Sequence, residues 1–161
     1  MKKYLFKLFE KALDRYFGLQ KQNKIDKFKR CGNPFYLQEP FYFTGYDNIE
    51  IGDNVAIAAF THIWGEGGVI IGNNVLIASH TAITSITHNP NSNLFSSENI
   101  FKPVIIGNNV WIGSHTVIFP GVTIGNNCII GAGSIVNKNV PDGTVYAGVP
   151  ARELYQLNQF K

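Results

Sequence analysis

Charge is scarce in this 161-residue chain: Asp, Glu, Lys and Arg make up 16% of it, against 45% hydrophobic residues. Such a chain can bury a sizeable core and is not a disordered segment, and its length suits one domain. Cysteine is nearly absent. Cys31 and Cys128 stand far apart, so a disulfide framework gives way to two reduced thiols in a cytosolic protein. Leucine is short too, with 9 residues against 30 Ile plus Val, a balance that favours strands over helices. No uninterrupted apolar run of about 18 residues offers a membrane span. The opening MKKYLFKLFEK does not read as a secretory signal, because Lys7 and Glu10 break its apolar stretch.

Basic residues are also missing from most of the chain. Residues 1–30 hold 10 of the 14 Lys and Arg, leaving +7 there and −4 over residues 31–161. A mildly acidic body excludes a broad nucleic-acid surface. In the basic segment, Leu5, Leu8, Phe9, Ala12, Leu13, Tyr16 and Phe17 recur at helical spacing while Lys7, Lys11 and Arg15 line another face. Residues 1–30 are therefore expected to form a basic amphipathic helical segment. Its first reading is a helix docking its apolar stripe on the rest of the fold; its second is peripheral contact with anionic lipid at the inner face of a membrane.

What the chain has in abundance is a six-residue period. Aliphatic residues fall at Ile51, Ile57, Ile63; Ile71, Ile77, Ile83; and Ile106, Ile112, Ile118, Ile124, Ile130, Val136. Small or β-branched residues follow four positions later at Val55, Thr61, Val75, Thr81, Val110, Thr116, Val122, Cys128, Ser134 and Val140. Four segments share I-G-(N/D)-N, beginning at Ile51, Ile71, Ile106 and Ile124. A helix would smear this period around its surface and a long strand would show period two. Short strands joined by tight turns fit it, three hexads to a coil, so that residues 18 apart stack. Gly (16) and Asn (17) together exceed a fifth of the chain and suit corners with left-handed backbone angles.

The stacking arithmetic locates the exceptions. Ile106 to Ile124 is one coil; Ile51 to Ile71 is one coil plus two residues near Glu66-Gly67-Gly68; Ile71 to Ile106 is one coil plus 17. The larger excess, Thr87 to about Pro103, lacks the period and is expected to be an external loop. Residues 33–48 read as an irregular opening coil whose aromatic stretch Phe35–Phe43 caps the column or pairs with a neighbour. The expected layout is a helical segment over 1–30, a solenoid domain over 31–154 with a loop at about 87–103, and a tail over 155–161.

These repeats resemble the hexapeptide-repeat acyltransferases, an all-β solenoid family whose fold is a left-handed parallel β-helix. The likeness is most specific in IGNNVWIGSHTVIFP from Ile106, in GAGSIVNKNVP, and in AGVPAR ending at Arg152. These runs are typical of the branch that O-acetylates sugars, the galactoside and maltose acetyltransferases and their relatives in surface-polysaccharide synthesis. The handedness comes from the resemblance, since parallel crossovers are ordinarily right-handed.

The resemblance implies acetyl-CoA as acyl donor, a sugar hydroxyl as acceptor, a homotrimer with sites between subunits, and no metal. His88 opens the loop, where the related enzymes carry their catalytic His. An imidazole suits proton abstraction at neutral pH. Glu66 aligns with an acidic residue that binds acceptor hydroxyls; Trp64 offers a flat face for a sugar or a wall, and Asn89 is expected at the acceptor too. Trp111, Ser114, Ala132, Lys138 and Arg152 are implied at the donor, with Lys138 and Arg152 toward its phosphates. Two departures stand out: the branch's acceptor-binding Asn is Ala58 here, and a second arginine is Tyr155. His62 is a candidate for the rim of the acceptor pocket. His80 and His115 share one hexad position and are expected to stack about 4.8 Å apart, as outward corner residues, a metal pair or a second base. The rival readings are an amino-sugar or antibiotic O/N-acetyltransferase, a carbonic-anhydrase-like zinc enzyme, and a non-catalytic scaffold.

Overall fold

The computed structural model describes residues 2–157, the side chains of Lys2, Lys3 and Leu5 excepted. A helix, α1 (Lys2–Ile25), precedes a left-handed parallel β-helix of about six turns. Its triangular cross-section has three faces of short parallel strands. Face A stacks Arg30–Cys31, Ile49–Ile51, Val69–Ile71, Val104–Ile106 and Thr123–Ile124. Face B stacks Phe35–Leu37, Val55–Ile57, Leu76–Ile77, Trp111–Ile112, Ile129–Ile130 and Thr144–Gly148, and ends in the antiparallel strand Ala151–Gln156. Face C stacks Tyr42–Thr44, His62–Trp64, Ala82–Thr84, Val117–Ile118 and Ile135–Val136.

The register is the one the period predicts: Ile51 lies beside Ile71, Ile71 beside Ile106, and Ile106 beside Ile124. Every aliphatic hexad residue named above is buried, none more than 2% exposed. Each contributes about 1.5–3 kcal/mol by leaving water. The I-G-(N/D)-N motif explains itself at the corner between faces A and B. Its third residue accepts the backbone N–H one coil earlier: Asp53 N–H donates to Asn73 Oδ1 (2.7 Å), Asn73 N–H to Asn108 Oδ1 (2.8 Å), and Asn108 N–H to Asn126 Oδ1 (2.8 Å). Its fourth residue takes left-handed φ, 54–56° at Asn54, Asn74, Asn109 and Asn127, which Asn tolerates best among residues with a Cβ. At the corner between faces B and C, the hydroxyls of buried Thr61, Thr81 and Thr116 donate to the carbonyls three residues back, at 2.7–2.8 Å. The polar corners thus satisfy their own hydrogen bonds around an apolar column.

Three expectations need correction. The opening coil is regular, not irregular: Phe35–Leu37 pairs in register with Val55–Ile57, and Tyr42–Thr44 with His62–Trp64. The six-residue pattern is hidden there because aromatic rings replace aliphatic chains, and Phe28, Phe35, Phe41, Phe43 and Tyr46 pack together as the cap of the column. The excursion is not a plain loop, because Ile86–His88 and Asn99–Phe101 pair as an antiparallel ribbon. The solenoid strand Ala151–Gln156 enters the segment read as a tail; residues 158–161 of that segment lie outside the described residues.

The helix also departs from its first reading. Leu8, Phe9, Leu13, Tyr16 and Phe17 are all exposed, between 38% and 61%, so the apolar stripe does not dock on its own body. Leu5, expected in the stripe, lies outside the described side chains. Contact with the body comes from the helix's last turns, where the Lys21 ammonium donates to the Leu37 carbonyl, Lys24 sits over the Phe41 ring and Ile25 packs on the core. Among the described residues, no helix is long and apolar enough to cross a membrane.

Candidate active site

The corner between faces C and A carries both excess segments of the sequence, and the structure ties them together. Trp64 ends a strand of face C, and Gly65–Gly68 makes the turn, closed by Gly68 N–H to Gly65 O (2.8 Å). One coil later the ribbon leaves the column at Ser85. The Ser85 side chain is fully buried; its hydroxyl donates to Trp64 O (2.7 Å) and accepts from Gly67 N–H (2.9 Å). The Ser85 carbonyl accepts from Lys102 N–H (2.9 Å), on the returning side of the ribbon. A Cβ at Gly67 would run into that carbonyl, so this close approach requires glycine. Ser85 therefore clamps the Glu66 turn to both roots of the arm that bears His88.

Glu66 is half-buried, and its Oε2 is enclosed with no hydrogen-bond partner among the described residues. The hydroxyl of Thr44, in register with Trp64, is in the same condition. Enclosed oxygens of this kind are ready to meet a hydroxyl-bearing ligand. The Trp64 ring is 36% exposed and lies nearly parallel to His62, 5.6 Å between centroids; Tyr42 follows at 5.7 Å. His62 thus stands beside Trp64 on face C. His88 is exposed on the ribbon, opposite Asn99. Asn89 is engaged within the arm: its N–H donates to Glu98 O, its side-chain amide to the Glu98 carboxylate, and its Oδ1 accepts from Asn91 N–H. Those bonds make Asn89 a brace of the ribbon.

The residues implied at the donor divide between two corners. Ser114 and Ala132 stack on successive coils at the corner between faces B and C, and Gly133 N–H donates to Ser114 O (2.8 Å). Arg152 lies beside Ala147 at the end of face B, exposed, with one guanidinium N–H on Ala151 O. Trp111 projects from face B, 53% exposed, beside Leu76 and Ile129 in a shallow apolar groove with Leu157 above it. Lys138 instead lies at the C/A corner, exposed and on the same side of the column as the arm. Ser114 and Ala132 are neighbours, and Arg152 lies further along the column at the end of face B; Lys138 and His88 do not join them within one chain.

His80 and His115 stack as expected, 4.7 Å apart, and point outward. Phe60 extends the stack below His80, also at 4.7 Å, and all three hold left-handed φ of 59–61°. Phe60 shares their hexad position, three after Ile57, but as an apolar ring it carries no chemical signal in the sequence. Ser85 and Thr44 had no signal, because a buried serine where the period breaks looks like any turn residue. No cluster of three His, Cys, Asp or Glu able to hold a metal occurs among the described residues.

The family model for bacterial transferase hexapeptide (six repeats) matches residues 103–138. A Vibrio cholerae hexapeptide-repeat acetyltransferase, solved with acetyl coenzyme A, superposes with a TM-score of 0.83 at 32% identity, over 88% of this chain and 78% of that one. The chain belongs to the hexapeptide-repeat acetyltransferase family. Galactoside O-acetyltransferase of Escherichia coli K12 is 42% identical over 134 residues, 83% of this chain and 66% of the relative. WbbJ of the same organism, named for O-acetyl transfer in lipopolysaccharide biosynthesis, is 38% identical over 116 residues, covering 66% of this chain and 59% of its own length. The chain thus spans about two thirds or less of these curated relatives.

Proposed function

We propose that the protein transfers an acetyl group from acetyl-CoA to a hydroxyl of a sugar, with His88 as general base. The observation that carries this reading is the Ser85 clamp, which binds the arm of His88 to the turn whose Glu66 offers an enclosed, unpartnered carboxylate oxygen. The acetyl-CoA-bound relative supports the donor; the sugar-acetylating relatives support the acceptor, and WbbJ favours a surface glycan.

The donor fits the B/C corner. Ser114 and Ala132 leave a flank of small side chains for a slender carrier arm, and Gly133 has open space where a Cβ would stand. Arg152 supplies a cation for phosphates. A neighbouring hydroxyl of the sugar donates to Glu66 and fixes the ring, while His88 accepts and removes the proton of the reacting hydroxyl. The freed oxygen attacks the thioester carbonyl carbon, the C–S bond breaks, and His88 returns its proton to the departing thiolate. A backbone N–H by Ser114 is the proposed oxyanion donor. The acceptor groups sit at the C/A corner and the donor flank at the B/C corner, so the working unit is a homotrimer, with the arm of one copy facing the donor flank of the next.

Release of CoA thiol across a panel of sugars and nucleotide sugars tests the reaction. His88→Ala is expected to lower turnover by at least about a hundredfold, and its exposed position predicts an unchanged melting temperature. Near-normal turnover in that variant overturns the assignment.

A further inference from the structure

We propose that α1 is a peripheral membrane anchor whose apolar half lies in the headgroup region of an anionic bilayer. At 100° per residue, Phe6, Leu8, Phe9, Ala12, Leu13, Tyr16, Phe17 and Leu19 fill one half of the helix circumference. Lys7, Lys11 and Arg15 run along the other half, with Glu10 and Asp14 beside them. The large residues of the apolar half are exposed: Phe6 62%, Leu8 51%, Phe9 61%, Tyr16 55%, Phe17 55% and Leu19 57%. From Phe6 to Leu19 no polar residue falls in this arc, and an apolar surface of this kind marks an interaction site.

Two observations choose the occupant. The first is charge: the segment Lys2–Ile25 carries seven basic and two acidic residues, which attracts it to phosphate-rich surfaces. The second is the width of the apolar arc. Helix pairing between copies uses a narrow seam, whereas a half-cylinder rich in Phe, Tyr and Leu with a cationic reverse is the form that lies in a lipid interface. The helix is joined to the body near Lys21, Lys24 and Ile25, so the rest of its length is free to lie on a surface while the column stands off it. Such an anchor directs the enzyme to a lipid-borne glycan acceptor, a consequence that rests on the proposed reaction; the anchoring itself does not.

The test is cosedimentation of the full chain with vesicles. Phosphatidylcholine vesicles containing about one third phosphatidylglycerol are expected to bring down at least about tenfold more protein than pure phosphatidylcholine, with the difference lost at about 1 M salt. Phe9→Asp/Phe17→Asp and, separately, Lys7→Glu/Lys11→Glu/Arg15→Glu are expected to abolish sedimentation without changing the melting temperature. Absence of wild-type sedimentation overturns the anchor. So does unaltered sedimentation in both variants, or a change of molecular mass in the apolar-face variant with vesicle binding retained, which assigns the face to a second copy. If vesicle binding holds while no sugar releases CoA thiol, the anchor stands and the acetyltransferase reading falls.

Discussion

Replacing Ser85 by alanine separates the clamp from everything else in the column. The hydroxyl makes two hydrogen bonds, 2.7 Å to Trp64 O and 2.9 Å from Gly67 N–H, in a fully buried position. Alanine adds no bulk, so the perturbation is the loss of both bonds and an orphaned Gly67 N–H. Two net bonds with one unsatisfied donor amount to about 2–3 kcal/mol, which lowers the melting temperature of a chain this size by about 4–10 °C. The functional consequence is selective. With the clamp gone, the Glu66 turn and the arm root lose their fixed separation, and a misplacement of reacting groups on the order of 1 Å costs up to about a hundredfold. We expect kcat/KM for the sugar acceptor to fall about tenfold or more while KM for acetyl-CoA stays within about twofold, since Ser114 and Ala132 stand on the other corner and Arg152 at the end of face B. Thiol release measured with each substrate varied in turn separates the two. A Ser85→Ala enzyme within twofold of wild type, or one whose loss falls on the donor KM, refutes the assignment of this corner to the acceptor.

Two further outcomes follow from the ends of the column. Phe28 is 8% exposed and touches Phe35, Phe43 and Tyr46 with ring centroids 5.5–6.2 Å away; Phe28→Ala is expected to cost about 3–5 kcal/mol, read as a lowered urea midpoint, and an unchanged midpoint denies the aromatic cap its role. Burial pushes the Cys31 thiol above its ordinary value, so less thiolate exists at a given pH. Iodoacetamide is expected to label Cys31 more slowly than a free thiol and to reach the buried Cys128 only in denaturant; fast labelling of Cys31 at neutral pH contradicts the shift.

The column was legible because its wall is periodic. An inward Ile at Ile77 predicts one at Ile112 and again at Ile130, since each position sees the same neighbours one coil away. Periodicity fails where that equivalence fails. The opening coil has no coil beneath it and fills its end with rings, so Phe35 and Phe43 broke the pattern without breaking the fold. The arm is long enough to pair with itself, and its ribbon follows from local antiparallel bonding that a six-residue period does not encode. Candidate site residues such as His88 and Glu66 were visible through resemblance and the length excesses beside them. Ser85 was not, because its role arises from two backbone groups that meet only after the turn and the arm have folded. The helix was legible as amphipathic, but what its apolar half touches depends on surfaces outside the chain.

Two corners divide the proposed site. Face C separates the arm at one corner from Ser114 and Ala132 at the other, and in the proposed trimer a working site draws its acceptor half and its donor half from different copies. A His88→Ala subunit then retains a sound donor flank, and a Ser114→Trp subunit, with its flank obstructed, retains a sound arm. Each is inactive alone. Mixed one to one during folding, random trimers place a sound arm against a sound flank at about a quarter of interfaces, and about that share of wild-type activity is expected to return. A site contained within one chain regains nothing on mixing. Thiol release from the coexpressed pair, compared with each variant alone, therefore decides between a shared and a self-contained site, and zero recovery in well-folded mixed trimers removes the shared one.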